Sequence, residues 1–225
     1  MKPLYGQSLR GWLLGLGIAL VAATTFSFCV SIFQVYVIDA IAHSRTLPEG
    51  ADDLSDTLTE WSAIVQLAVY IPFFILFVIW LRASYRNVEL LGQRIDYKPG
   101  WAIGSFFVPI LGLFRPYQIM KEVLEKSSAP APGPQPERTF LLTGWVLFLC
   151  SATLGQIALR TTPKTGSPIG DFTGYSWIML VSDFLDIVVN PLFLAFVVLI
   201  TDKQTRRWEE LQAGVPAVTG QDPLS

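Results

Sequence analysis

Two aspartates and an asparagine, Asp183, Asp186 and Asn190, interrupt a long apolar stretch near the carboxyl end. Spaced three and four residues apart, they share one face of a helix. A carboxylate at such a depth can bind a proton, take a cation, or accept hydrogen bonds that fix helix register. Placing it near the centre of a bilayer costs roughly 2.5–3.5 kcal/mol. Protonation, a cationic partner or a wet cavity would offset that cost. Three glutamines in the other apolar stretches, Gln34, Gln66 and Gln156, supply amides that could join Asp183 in one polar cluster. Two readings compete. The cluster is packing glue, at about 0.6 kcal/mol per hydrogen bond, or it lines a proton- or cation-accessible cavity of a transporter or channel. No inverted repeat is evident, so the transport reading implies a homo-oligomer.

Other chemistries find little support. The single histidine, His43, argues against most histidine-based metal sites, and no Cys-x-x-Cys, His-Glu-x-x-His or P-loop pattern occurs. Gly15-Leu16-Gly17 lies inside an apolar run and is no dinucleotide fingerprint. Cys29 and Cys150 lie in apolar stretches and read as packing residues. Asp183 and Asp186 lack the third ligand that a metal site would need. An enzyme is therefore not expected, nor a metal or cofactor, and a net charge of -2 gives no reason to expect a nucleic-acid partner.

These residues need helices to hold them. Of 225 residues 52% are hydrophobic and 15% charged, against about 25% charged in a soluble domain. Four apolar stretches, 12–38, 61–81, 140–159 and 177–200, are each long enough to cross about 30 Å of hydrocarbon at about 1.5 Å per residue. The first follows a basic start but is too long for the core of a signal peptide. Of 16 Lys and Arg, only Arg45 falls in the first loop and only Arg160 and Lys164 in the third. The remainder lie at the start, in the segment 82–138 and in the tail. The positive-inside rule then puts both termini and the segment 82–138 in the cytoplasm. Trp12, Trp61, Trp80 and Trp177 stand where interfacial anchors would, Trp208 lies just past the fourth helix, and Trp145 is deep enough to pack between helices. On this count Asp183 lies about 9 Å and Asp186 about 13 Å inward from Trp177.

One segment does not fit a plain four-helix bundle. Residues 101–114 (WAIGSFFVPILGLF) are apolar, but as a helix they would cover only about 21 Å, and Pro109 favours a break. Counting them as a crossing would export Arg115, Lys121, Lys126 and Arg138. They are expected as a re-entrant hairpin or a tilted interfacial helix, with Trp101 and Tyr117 as anchors. Residues 81–93 read as a helical extension of the second crossing. There Arg82 and Arg86 share a face and could bind lipid phosphate, Glu89 could pair with Arg86, and Gly92 is a stop signal. The outer loop 44–60 reads as polar and irregular, with room for one short helical turn. Pro130, Pro132, Pro134 and Pro136 mark a linker or a weak polyproline ligand. Residues from about 214 on read as disordered.

The run Trp80 to Asn87, then Leu91-Gly92, Tyr97-Lys98-Pro99-Gly100-Trp101-Ala102-Ile103-Gly104, Phe107-Val108-Pro109-Ile110 and Arg115-Pro116-Tyr117-Gln118-Ile119-Met120 with Glu122 resembles the bacterial membrane family called domain of unknown function 4328. The resemblance covers most of residues 60–205 and implies a multi-pass protein of a kind common in actinobacteria. It picks out Arg86, Asn87, Pro99, Trp101, Pro109, Arg115, Pro116 and Gln118 as motif positions, and implies no catalytic role for them. The expectation is an all-α polytopic membrane protein with four transmembrane helices and a short re-entrant or interfacial segment. Its bundle spans residues 1–205 and its cytoplasmic tail 206–225. Its expected role is that of a small non-catalytic subunit or scaffold. It would contact membrane lipid, a protein partner or a second copy through Arg82, Arg86, Asn87, Trp101, Pro109, Arg115, Tyr117 and Gln118. The alternative is ion- or proton-coupled permeation through the aspartates.

Overall fold

The structure, a computed structural model, describes residues 4–128, 136–164 and 166–214. Among them there is no strand. In lipid a backbone must satisfy its own hydrogen bonds, and a helix does so within one segment. The apolar stretches accordingly form α1 (Leu9–Ala42), α2 (Ala51–Leu90), α5 (Pro136–Thr161) and α6 (Ile169–Gln212). All four are long and apolar enough to cross a membrane, and the chain is a multi-pass helical membrane protein. Between α2 and α5 lie two shorter helices, α3 (Trp101–Gly104) and α4 (Arg115–Lys126), and two single 3-10 turns, Ser105–Phe107 and Leu111–Leu113.

The helices outrun their apolar windows. The acid-rich loop, expected to be irregular, is helical from Ala51 onward. Asp52 and Asp53 occupy the first turn of α2, where negative charge suits the positive end of the helix dipole. Its other end closes as a Schellman motif. Gly92, at φ +78°, donates to the Glu89 carbonyl, and the Gln93 N–H donates to that of Val88. Helix α6 continues past residue 200 because Thr201 and Gln204, one turn apart, are buried. Residues 206–212 of the expected tail are therefore helical. Pro136 opens α5, whereas Pro130, Pro132, Pro134 and the rest of the tail from 215 lie outside the described residues.

The chain forms two compact units. One comprises Trp12–Ile75 and Leu142–Leu194. In it α1 buries Leu13, Gly17, Leu20, Thr24, Ser27, Ser31 and Gln34, alternating four- and three-residue steps as in a coiled-coil seam. Small residues on that seam let helices approach closely. A Cβ on Gly17 would stand only 2.6 Å from Leu194 Cδ1. Trp145 is buried here and packs against Phe148.

The other unit comprises Met1–Gly11, Leu76–Leu141 and Ala195–Ser225. Its core holds Leu81, Tyr85, Val88, Ile119, Val123 and Val197. Trp80 belongs to this core, not to an interface. It is 2% exposed, meets Phe196 edge-on at 6.2 Å, and donates its indole N–H to Thr201 Oγ1 at 3.3 Å. A hydroxyl within the protein supplies the acceptor that a headgroup would otherwise offer. Trp12, Trp61 and Trp177 are well exposed.

Candidate functional site

The α6 carboxylates are met by hydroxyls from two other helices. Ser31 Oγ on α1 donates to Asp183 Oδ2 at 2.5 Å, and Ser151 Oγ on α5 donates to Asp186 Oδ1. Asp183 is 4% exposed and Asp186 half-buried. Tyr175 and Tyr70 lie within electrostatic reach of Asp183 and Asp186 respectively. Phe28 packs against Phe184 beside the Ser31 bond, with ring centroids 6.1 Å apart. Among the described residues no ion pair engages either carboxylate. No three His, Cys, Asp or Glu side chains among those residues converge on a metal position.

The amides are distributed more loosely than one cluster would require. Gln66 accepts from Ser27 Oγ at 3.2 Å, one turn along α1 from Ser31. Gln34 is buried on the same α1 seam. Gln156 is exposed on α5, and Asn190 is half-buried on α6. Close by in sequence, α1 and α6 line a cleft of about 370 Å³ with Ile32, Val35, Tyr36 and Asp39 on one side and Thr173, Ser176 and Trp177 on the other. Asp39 is half-buried, held by Arg45 at 3.0 Å and near His43 at 3.2 Å.

Three basic residues of the second unit, Arg10, Arg86 and Lys126, serve two internal clasps. In the first, Asn87 reads a backbone. It accepts the Tyr5 N–H at 2.8 Å and donates to the Tyr5 carbonyl at 3.0 Å. Its amide also donates to Gln204 Oε1 at 2.9 Å, and Gln204 donates to the Ser84 carbonyl and to Ser127 Oγ. Arg86 turns to Tyr5, its guanidinium 4.3 Å above the ring and donating to the hydroxyl at 3.3 Å. Arg10 pairs with Asp202 at 2.8 Å. These contacts strap the chain start across α2 and α6. Gly6 makes the bend at φ +77°, with Ala83 Cβ 2.9 Å from where a side chain would begin.

The second clasp centres on Glu122, 6% exposed on α4. Its carboxylate accepts the Tyr85 hydroxyl at 2.8 Å, the Asp96 N–H at 2.7 Å and the Lys126 ammonium at 2.8 Å. Lys126 also reaches Asp96 and the Arg94 carbonyl. Burial works against the Lys126 charge, but hydrogen bonds and attraction to Glu122 and Asp96 outweigh it and hold the ammonium above the usual lysine range.

Of the expected contact residues, Arg82, Trp101, Pro109 and Gln118 are exposed, Arg115 and Tyr117 half-buried, and Asn87 buried. Arg115 stacks 4.3 Å over the Tyr97 ring and donates to Gln118 Oε1 at 3.1 Å. Sequence reasoning missed Ser31, Ser151, Tyr5 and Gln204. The two serines had a readable signal. Ser27 and Ser31 fall on the seam that also carries Gln34, and Ser151 stands near the middle of an apolar run.

The sequence model of the family described as "Domain of unknown function (DUF4328)" matches residues 43–202. No curated protein and no solved structure matches the chain.

Proposed function

The chain belongs to the DUF4328 family, which brings no activity with it, and we propose that Asp183 and Asp186 form a proton- or cation-binding station on a permeation path. The observation that carries this reading is a pair of carboxylates within one apolar helix, each met by one serine hydroxyl from a neighbouring helix. A carboxylate offers about four acceptor positions, and a single hydroxyl leaves most of them open. Ionisable groups at membrane depth are costly and serve pathways by default. The cleft between Tyr36 and Trp177 supports an approach along α1 and α6. The role is non-catalytic, and the path is completed by a second copy of the chain. The Lys and Arg distribution supports placing both termini in the cytoplasm.

A purely structural role is the second reading, favoured by the same serine bonds, since they tie α6 to α1 and α5. The scaffold reading through the basic residues has less support, because Asn87 and Arg86 are engaged by Tyr5. Purified protein in liposomes decides between these. Wild type is expected to carry a proton or cation flux under an imposed gradient, and Asp186→Asn to abolish it while folding normally. Background flux in wild type would refute permeation, and a loss of stability alone in Asp186→Asn would establish the packing role.

A further inference from the structure

Residues 101–114 do not form an ordinary loop. The α3 turn passes into Ser105–Phe107, the chain corners at Val108 in an extended conformation, and Leu111–Leu113 returns against the first limb. Gly112 faces that limb closely, and a Cβ there would lie 3.4 Å from the Ser105 carbonyl oxygen. Ala102 and Ser105 are fully buried at the base. The tip presents the reverse. Phe107 is 72% exposed, Ile110 74% and Phe114 58%, with Val108 and Leu113 also open.

The backbone of this hairpin largely satisfies itself. Ile103 and Gly104 donate to the Gly100 carbonyl, Gly112 to Val108, Leu113 to Ile110 and Phe114 to Leu111. Pro109 has no N–H to satisfy. A water-facing loop has no need of such closure, whereas a segment entering hydrocarbon does. Cations flank the apolar tip. Arg94 and Lys98 are exposed on the incoming connector, and Arg115 begins the outgoing helix. The base is held rigidly, since Lys126 binds the Arg94 carbonyl and the Tyr97 N–H donates to Tyr85 Oη at 2.9 Å. Apolar tip, cationic collar and clamped base follow the order of a lipid monolayer, with acyl chains beneath phosphates.

We propose that the tip formed by Phe107, Val108 and Ile110 inserts into the acyl layer of the membrane, with Arg94, Lys98 and Arg115 at the level of anionic lipid phosphates. This surface is independent of the aspartate station. The test uses the full chain with Cys29→Ala and Cys150→Ala, carrying a polarity-sensitive fluorophore on Ile110→Cys or, as a control on exposed helix surface, on Glu89→Cys. Both are reconstituted in phosphatidylcholine vesicles with and without phosphatidylglycerol. The Ile110 probe is expected to emit to the blue of the Glu89 probe. Lipids brominated on the acyl chain should quench it at least twofold more than they quench the Glu89 probe, and aqueous iodide at least twofold less. Phosphatidylglycerol should increase the acyl-chain quenching, and Lys98→Gln should reduce that increase. A Phe107→Cys probe repeats the measurement should Ile110→Cys not fold. Equal iodide access at the two positions would overturn insertion. Protection from both quenchers would overturn it too, by showing protein over the tip. Quenching indifferent to phosphatidylglycerol would overturn the assignment of the cations.

Discussion

Replacing Asn87 by leucine keeps the approximate volume and removes the whole amide. Three hydrogen bonds are lost, at 2.8, 3.0 and 2.9 Å, to the Tyr5 N–H, the Tyr5 carbonyl and Gln204 Oε1. Gln204 is 2% exposed, so its oxygen loses its donor where water reaches poorly, at a cost of about 1–3 kcal/mol. The Tyr5 groups are half-buried. Once the strap lifts, water replaces their partner, and each then costs about 0.5–1 kcal/mol. The total is about 2–5 kcal/mol. Reversible unfolding in mixed micelles measures it, and thermolysin cleavage near Leu4, which is 7% exposed, reports release of the strap. The double variant Asn87→Leu/Gln204→Leu should cost less than the sum of its parts by about 1 kcal/mol, because the orphaned oxygen is gone. An Asn87→Leu protein within about 0.5 kcal/mol of wild type, with unchanged cleavage, would refute the reasoning.

Two further outcomes follow from the same unit. Gly6→Ala combines a left-handed backbone with a Cβ only 2.9 Å from Ala83 Cβ, so it should destabilise by about 1–2 kcal/mol and speed cleavage of the strap. A wild-type cleavage rate would contradict this. Lys126, held above the usual lysine value of 10.5, stabilises the folded state fully below that pH, and the contribution disappears as pH rises through the raised value. Glu122→Gln removes the nearer carboxylate charge, so protection of the 93–100 connector from proteolysis should be lost at lower pH than in wild type. Superimposable pH profiles would count against the pairing.

What could be read from the sequence depended on whether a residue's partner was local. The crossings follow from apolar length, and the end of α2 follows from Gly92, because each is decided within a few residues. The aspartates share a face by spacing alone. Their partners could not be chosen the same way. Serines are frequent in membrane helices, and only the fold brings Ser31 and Ser151 to α6. Trp80 at a helix end carries the pattern of an anchor, yet Thr201, 121 residues further on, supplies its acceptor. Arg86 has Glu89 three residues away as an ion-pair partner, but a tyrosine ring from the chain start takes its guanidinium instead. The helical start of α2 was legible in Asp52 and Asp53, had their position been weighed as first-turn charge and not as loop composition.

The pairing of carboxylates with serines, and not with arginines, bears on what the proposed α6 station can do. The chain has 16 Lys and Arg, and several are spent on exact partners in the basic unit, such as Arg10 on Asp202 and Lys126 on Glu122. An arginine on Asp183 would have closed the site, because a bidentate guanidinium fills the acceptor positions and keeps the carboxylate charged. A serine hydroxyl does less. It is neutral, supplies one proton, and can turn to accept one instead. Asp183 and Ser31 can therefore stay bonded whether the carboxyl carries its proton or not, with the hydroxyl reversing its role. The same holds for Asp186 and Ser151. A pair that keeps its bond in both states can exchange a proton without unfastening the helices that hold it. Packing alone would not require that property, and an arginine could not supply it.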